Sequence, residues 1–202
     1  MSQTSKDALW DVAPGVVHQL GNVLFTLQGR AQLLPAGTGR DQMLDAVRRA
    51  QEAGQVLRWA IGDGMDPPVA AGVAVPRILD AMRTGYRERG IALQCTHASG
   101  DAAVDPILLT RLLASACQAL TQGLPGGSLS VQCREDQGTL WIGLEVLVAP
   151  GSLPFPIQAE RLAAELAGVL GAVQGRLTVE SATEASLWLN PAPVLGTVFT
   201  NS

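Results

Sequence analysis

A chain of 202 residues, 47% hydrophobic and 16% charged, has the composition of a globular protein and the length for one large domain or two small ones. Its formal net charge of −4 argues against a nucleic-acid partner, which a surplus of lysine and arginine would serve. Three widely spaced cysteines (Cys95, Cys117, Cys133) and only two histidines offer no zinc-ligand spacing, so the cysteines read as buried thiols of a reducing compartment.

No stretch approaches the roughly 20 apolar residues of a membrane span, and residues 1–11 lack the layout of a secretory signal. A cytoplasmic location without membrane contact is expected. The first periodic segment carries Val17, Leu20, Leu24, Leu27, Ala31 and Leu34 at alternating intervals of three and four, a heptad seam that wants a partner helix. Pro14 is expected in the first turn of this helix, and Pro35 with Gly37 and Gly39 ends it. A second helix is predicted over 41–61, with Leu44, Val47, Ala50, Gly54, Leu57 and Ile61 on one side. The short connection implies an antiparallel hairpin. Two helices bury little alone, so two hairpins from two chains should form a four-helix bundle, and a homodimer is expected. His18, Asn22, Phe25 and Gly29 form a second stripe beside the seam, where a docking protein could reach His18.

Residues 62–72, with two prolines and three glycines, read as a linker. A helix is predicted over 76–89, and Ile91, Leu93 and Cys95 alternate as in a strand. A leucine-rich helix covers 106–122. Leu129, Val131 and Cys133, then Leu140, Ile142 and Leu144, form a hairpin across the turn 135–138. A helix over 157–173 and strands over 176–181 and 185–189 follow, while the tail after Pro191 has no interpretable period. The fold class expected is α+β: a helical domain over 1–64, then an α/β sandwich over 73–202 with helices on one face of a sheet. His97 reads as a loop or strand-end histidine.

The stretch Val17-His18-Gln19-Leu20-Gly21-Asn22-Val23-Leu24 resembles the phosphoacceptor box of the dimerisation helices in two-component histidine kinases. That pattern is His, an acid, two variable residues, Asn or Thr, Pro, then Leu. His18, Asn22 and Leu24 match it. Gln19 stands for the acid and Val23 for the proline, and the run from Thr26 to Leu34 looks like the family's continuation. Asp105-Pro106 with the helix after it, the run from Leu124 to Leu129, and the run from Gly175 to Ser181 resemble parts of the kinase ATP-binding domain. The resemblance spans nearly the whole chain, although only the His18 box is specific.

The residues that hold nucleotide in that family are missing. Its two asparagines fall at Ser115 and Ala119, and Ala119 offers no polar atom at all. The aspartate-glycine box for adenine becomes Leu147-Val148-Ala149-Pro150-Gly151-Ser152. The second glycine box, whose backbone N–H groups would approach phosphates, becomes Ala159-Glu160-Arg161-Leu162-Ala163-Ala164. Gln19 can hydrogen-bond but cannot take a proton as the usual acid does.

The resemblance therefore implies a histidine phosphotransferase of multistep phosphorelays, a kinase-like dimer with a degenerate ATP-binding domain. His18 would take a phosphoryl group from an aspartyl phosphate of one receiver domain and pass it to another, with Asn22 assisting. Gln19, Phe25, Gly29 and Arg30 would contact the partner. No cofactor or metal is expected on this chain, the Mg²⁺ being carried by the receiver. Expected partners are a second copy and response-regulator receiver domains, with a hybrid histidine kinase as a further candidate. Two rivals stay open: a non-catalytic pseudokinase regulator that binds a kinase or receiver, and a diverged ATP-dependent histidine kinase.

Overall fold

A computed structural model of the chain describes residues 3–62, 66–136, 138–149, 156–172 and 174–189, with side chains from residue 17 onward. The chain divides into two units, Met1–Met65 and Asp66–Ser202.

In the first unit the heptad segment forms α1 (Gln3–Gln32) and the second apolar repeat forms α2 (Thr38–Ile61). The two helices pack on one another, and Gln51 Nε2 donates to Gln28 Oε1 at 3.0 Å between them. Val17, Leu24 and Ala31, one residue per heptad, are buried, as are Val47, Val56 and Trp59 of α2. The seam on α2 departs from the sequence expectation at its C-terminal end, where Leu57 is 43% exposed. Leu57 lies about 200° around the helix from Trp59, and the indole, with more apolar surface to hide, takes the inward side. The start of α1 also differs. Its helical backbone begins at Gln3, so Pro14 lies inside the helix and not in the first turn. Proline removes one backbone donor there, a local cost that the helix-forming residues on both sides tolerate. Gly62 ends α2 in the left-handed conformation (φ 74°), from which its N–H reaches the Trp59 carbonyl. On the outer face Asp45 holds Arg48 and Arg49, and Arg48 also meets Glu52. Such exposed pairs add little to stability.

The second unit runs β1 (Val69–Ala70), α3 (Ala71–Glu88), β2 (Ile91–Ala98), β3 (Ala103–Val104), α4 (Pro106–Thr121), β4 (Gly127–Asp136), β5 (Thr139–Val148), α5 (Ala159–Ala172), β6 (Arg176–Val179) and β7 (Glu184–Leu189). The main sheet has the order β2-β4-β5-β7-β6, with β2 parallel to β4 and every other pair antiparallel. Its register stacks the alternating apolar residues in rows: Leu93 beside Leu129, Val131 beside Leu144, Ile142 beside Leu187. All of these are buried, on one face of the pleat. Ile78 and Leu79 of α3, Leu109, Leu112 and Leu113 of α4, and Leu162 and Leu166 of α5 are buried with them. Each such side chain contributes roughly 1.5–3 kcal/mol on leaving water. This is the mixed α+β layering expected.

Three details were not expected. The segment 62–72 is not simply a linker, because β1 pairs antiparallel with β3 and α3 starts at Ala71, before Pro76. The first-turn N–H groups of Ala71 and Gly72 donate to the carbonyls of Ala102 (3.0 Å) and Gly100 (3.2 Å), which lets the helix begin without a side-chain cap. Strand β6 stops at Val179, where the N–H groups of Glu180 and Ser181 both turn to the Glu184 carbonyl. Helix α5 starts at Ala159, and Val173, expected at its end, lies outside the described residues, as do Gln137 of the hairpin turn and the tail after Pro191.

The opposite face of the sheet is polar and aromatic. Trp141 and Trp188 meet edge-on with centroids 6.5 Å apart, Arg134 lies 4.3 Å over Trp141, and Arg176 lies 5.6 Å over Trp188. Among the described residues, no helix is long and apolar enough to cross a membrane.

Two predictions follow from these contacts. Asp105 caps α4, its Oδ1 accepting from Ile107 N at 2.8 Å and Leu108 N at 3.2 Å. Asp105→Ala should cost about 1 kcal/mol and lower Tm by about 2–4 °C in circular-dichroism melts, whereas Asp105→Asn should keep most of the cap. The second concerns the thiols. Burial pushes Cys117 up to about 12, and burial together with the neighbouring Cys95 pushes Cys133 up to about 11, from an ordinary value of 9.0. The folded state therefore keeps both thiols protonated where the unfolded chain would ionise them. The stability they contribute is intact below pH 9 and is lost as pH rises through 11 to 12. Urea midpoints should fall across that window, and the fall should be shallower in Cys117→Ala.

Candidate functional site

Helix α1 displays every residue of the predicted phosphoacceptor stripe on its outside. His18, Gln19, Asn22, Gly29 and Arg30 are exposed, and Phe25 is 74% exposed. His18 and Asn22 stand one turn apart, about 6 Å along the axis, so both side chains share a face. Thr26 Oγ1 donates to the Asn22 carbonyl at 2.9 Å, which occupies the backbone and leaves the Asn22 amide at the surface. A Cβ added to Gly29 would meet nothing within 4 Å, so the glycine keeps the stripe flat without being required by packing. Among the described residues none bonds to the His18 imidazole.

The remaining heptad positions deepen this picture. Leu20, Leu27 and Leu34 are 42%, 39% and 44% exposed, while the alternate members Val17, Leu24 and Ala31 are buried. One line of the seam is covered by α2 and the other is open. Leu20 and Leu27 lie on α1 and Leu34 just past its end, a short apolar row that association would cover.

In the second unit, α4 carries Ser115 and Ala119, which the sequence resemblance matches to the two kinase asparagines. Ser115 and Ala119 are both half-buried, and neither places an amide at the surface of the helix. Helices α4 and α5 pack together. Between them Ala119, Gln122, Ile157, Arg161 and Leu162 line a cavity of only about 10 Å³, room for a single water at most. Leu147, at the start of the stretch that replaces the aspartate-glycine box, pairs with Ser128 as ordinary strand and is 49% exposed. Pro150, Gly151 and Ser152 of that stretch lie outside the described residues. Arg161 and Leu162 occupy the first turn of α5, where the second glycine box would be, and Leu162 is buried.

A feature not anticipated in the sequence lies on the aromatic face of the sheet. Ser130, Gln132, Trp141, Glu145, Glu180 and Glu184 line a cavity of about 190 Å³, and Ser186 Oγ donates to Glu180 Oε1 at 2.7 Å. A Cβ on Gly143 would sit 2.3 Å from a Trp141 ring carbon, so the indole lies flat across the bare glycine. The only sequence sign was that Trp141 and Glu145 alternate with the apolar positions of β5. His97 lies at the end of β2, its Nε2 2.9 Å from Ser99 Oγ, as a strand-end histidine should.

No family model matches the sequence, and no curated protein matches it. Solved structures do. The histidine kinase domain of the Erythrobacter litoralis blue-light activated histidine kinase EL346 superposes over 84% of this chain and 96% of that one, with a TM-score of 0.50 and 11% identity. Full-length ShkA in complex with AMPPNP matches 90% of this chain at a TM-score of 0.46 and 15% identity, and this chain spans 46% of its length. The Acinetobacter baumannii histidine kinase AdeS matches 86% of this chain and 98% of that one, with a TM-score of 0.46 and 13% identity. The fold is histidine-kinase-like.

Proposed function

We propose that this chain is a dimeric histidine phosphotransferase that relays phosphoryl groups between receiver domains through His18. The observation that carries the reading is a mismatch within one fold. The stripe of α1 keeps His18 and Asn22 at the surface, while the space between α4 and α5 beside Ala119, Gln122 and Arg161 is only about 10 Å³.

In the forward step Nε2 of His18 attacks the phosphorus of an aspartyl phosphate in line. The N–P bond forms as the P–O bond to the aspartate breaks, and the carboxylate leaves with the electron pair. The second receiver reverses this with its own carboxylate. Phosphoryl transfer depends chiefly on positioning and charge neutralisation, and the receiver's Mg²⁺ would supply the latter. An acyl phosphate is already a good donor, so the loss of the acid at Gln19 matters little. Asn22 would hydrogen-bond the receiver or its attacking water. Gln19, Phe25, Gly29 and Arg30 would form the rim, Phe25 supplying apolar area and Arg30 a positive charge for an acidic surface. The open leucine line of α1 would be closed by a second copy, giving a four-helix bundle from the segment 1–64. The segment 73–202 would serve as a docking platform in a cytoplasmic signalling protein, with a hybrid histidine kinase as one source of phosphoryl groups.

A diverged ATP-dependent kinase would have the same fold, and the likeness to kinase domains is what favours it. A pseudokinase regulator would keep the surface and not need His18. One experiment separates all three. The purified chain and His18→Ala are each offered phosphorylated receiver domains from the same genome and, separately, labelled ATP. Acid-labile label on the wild type from a receiver, passed to a second receiver and absent from His18→Ala, is the expected result. Label from ATP alone would establish the kinase, and label from neither source, with receiver binding intact, would establish the regulator.

The dimer is tested independently. Leu27→Glu puts a charge on the open seam and should convert a wild-type dimer to monomers in sedimentation equilibrium while circular dichroism stays helical. A monomeric wild type would overturn the bundle.

A further inference from the structure

Strand β2 ends the main sheet, with β4 on one side and, among the described residues, no strand on the other. The Gly90 carbonyl accepts from Gly127 N at 3.2 Å and so points toward β4. Alternation along the strand then turns the N–H and C=O groups of Ile91, Leu93 and Cys95 to the open side. The register shift between Cys95 and His97 closes this regular stretch. Natural edges are usually blunted by a charged residue, a proline or a helix lying across them. Residues 91–95 carry neither charge nor proline.

Instead a groove of about 480 Å³ runs along this edge, lined by residues 91–96 of β2 and by Arg83 and Arg87 of α3. Arg83 meets Asp80 at 2.8 Å with both side chains well exposed, and Arg87 adds a further positive charge. The groove is therefore net positive on a chain whose formal charge is −4.

The spacing says more than the sign. Arg83 and Arg87 are one helical turn apart, about 6 Å along α3. Side chains on the same face of an extended strand repeat at roughly 6.7 Å. Two acidic residues at alternate positions of a strand laid along β2 would each face one guanidinium, a pairing that arginine makes bidentately. We propose that the open edge of β2 takes up an extended segment of a partner protein, with acidic residues at alternate positions, as an added strand. The backbone groups of Ile91, Leu93 and Cys95 supply the ladder, and the two arginines select the sequence.

The test uses the full chain and a fluorescein-labelled, end-capped peptide of four Thr-Glu repeats, read by anisotropy and by amide hydrogen exchange. The expected result is binding with slowed exchange at the Leu93 and Cys95 amides. N-methylation of one alternate set of peptide residues should abolish it and methylation of the other set should not, because only one set faces the ladder. Arg83→Glu with Arg87→Glu should weaken binding at least about tenfold, and a Thr-Lys peptide should bind that variant better than wild type, which also shows that the variant is folded. No binding up to millimolar peptide, or binding indifferent to both methylations, would overturn the proposal. So would protection of Leu93 and Cys95 that rises with protein concentration without peptide, since a second copy would then own the edge.

Discussion

Burial of the inner face of α4 sets the terms for the whole second unit. Leu109, Leu112, Leu113, Ala116, Cys117 and Leu120 are all at most 3% exposed, and the helix packs against both α3 and α5. Close-packed interiors leave no room to slide, so the height of α4 above the sheet and its distance from α5 are fixed by these side chains. The same packing leaves a cavity of only about 10 Å³ between α4 and α5 beside Ala119, Ile157 and Leu162. A concave polar site requires that some helix surface stay unfilled. Here Leu162 is buried and Ala119 half-buried where α4 meets α5. An alanine suits such a contact, because a buried amide without a partner is costly and an alanine is not.

The first unit solves the opposite problem. Its seam is too apolar for two helices to cover, and only alternate heptad positions are hidden within the unit. The leucines left open are not interchangeable with scattered surface apolar residues, because they repeat along one line and would be wetted together. His18 and Asn22 stand beside that line and not on it. In the proposed dimer this placement would let association proceed without burying the imidazole, and would let a docking protein approach without dismantling the helices.

Much of this was legible from the residues. The β4–β5 hairpin was readable because strict alternation and a Gly138 turn point to one register, and α4 because its segment is rich in leucine. Other features were hidden for physical reasons. The early start of α3 depends on the Gly100 and Ala102 carbonyls, which lie far along the chain and leave no local mark. The inward turn of Trp59 in place of Leu57 follows from competition for area between neighbours on a helix that has two apolar flanks. The two-residue strands β1 and β3 are too short to carry a period. At the candidate site, the exposure of His18 and Asn22 followed from their offset from the seam. The cavity beside Trp141 did not, because it exists only where β4, β5 and β7 bring Gln132, Glu145 and Glu184 together across the sheet.

The two faces of the sheet are held by different contacts. The helix-covered face is held by stacked apolar rows of strand residues. The other face is held by side-chain contacts of its own: Trp141 lies over Gly143, Arg134 over Trp141, and Arg176 over Trp188. Neither set of contacts includes Ser115 or Ala119 of α4. Substitution at those two positions would therefore leave both faces of the sheet standing, because the residues that hold the sheet and the residues of that outer helix surface are different ones.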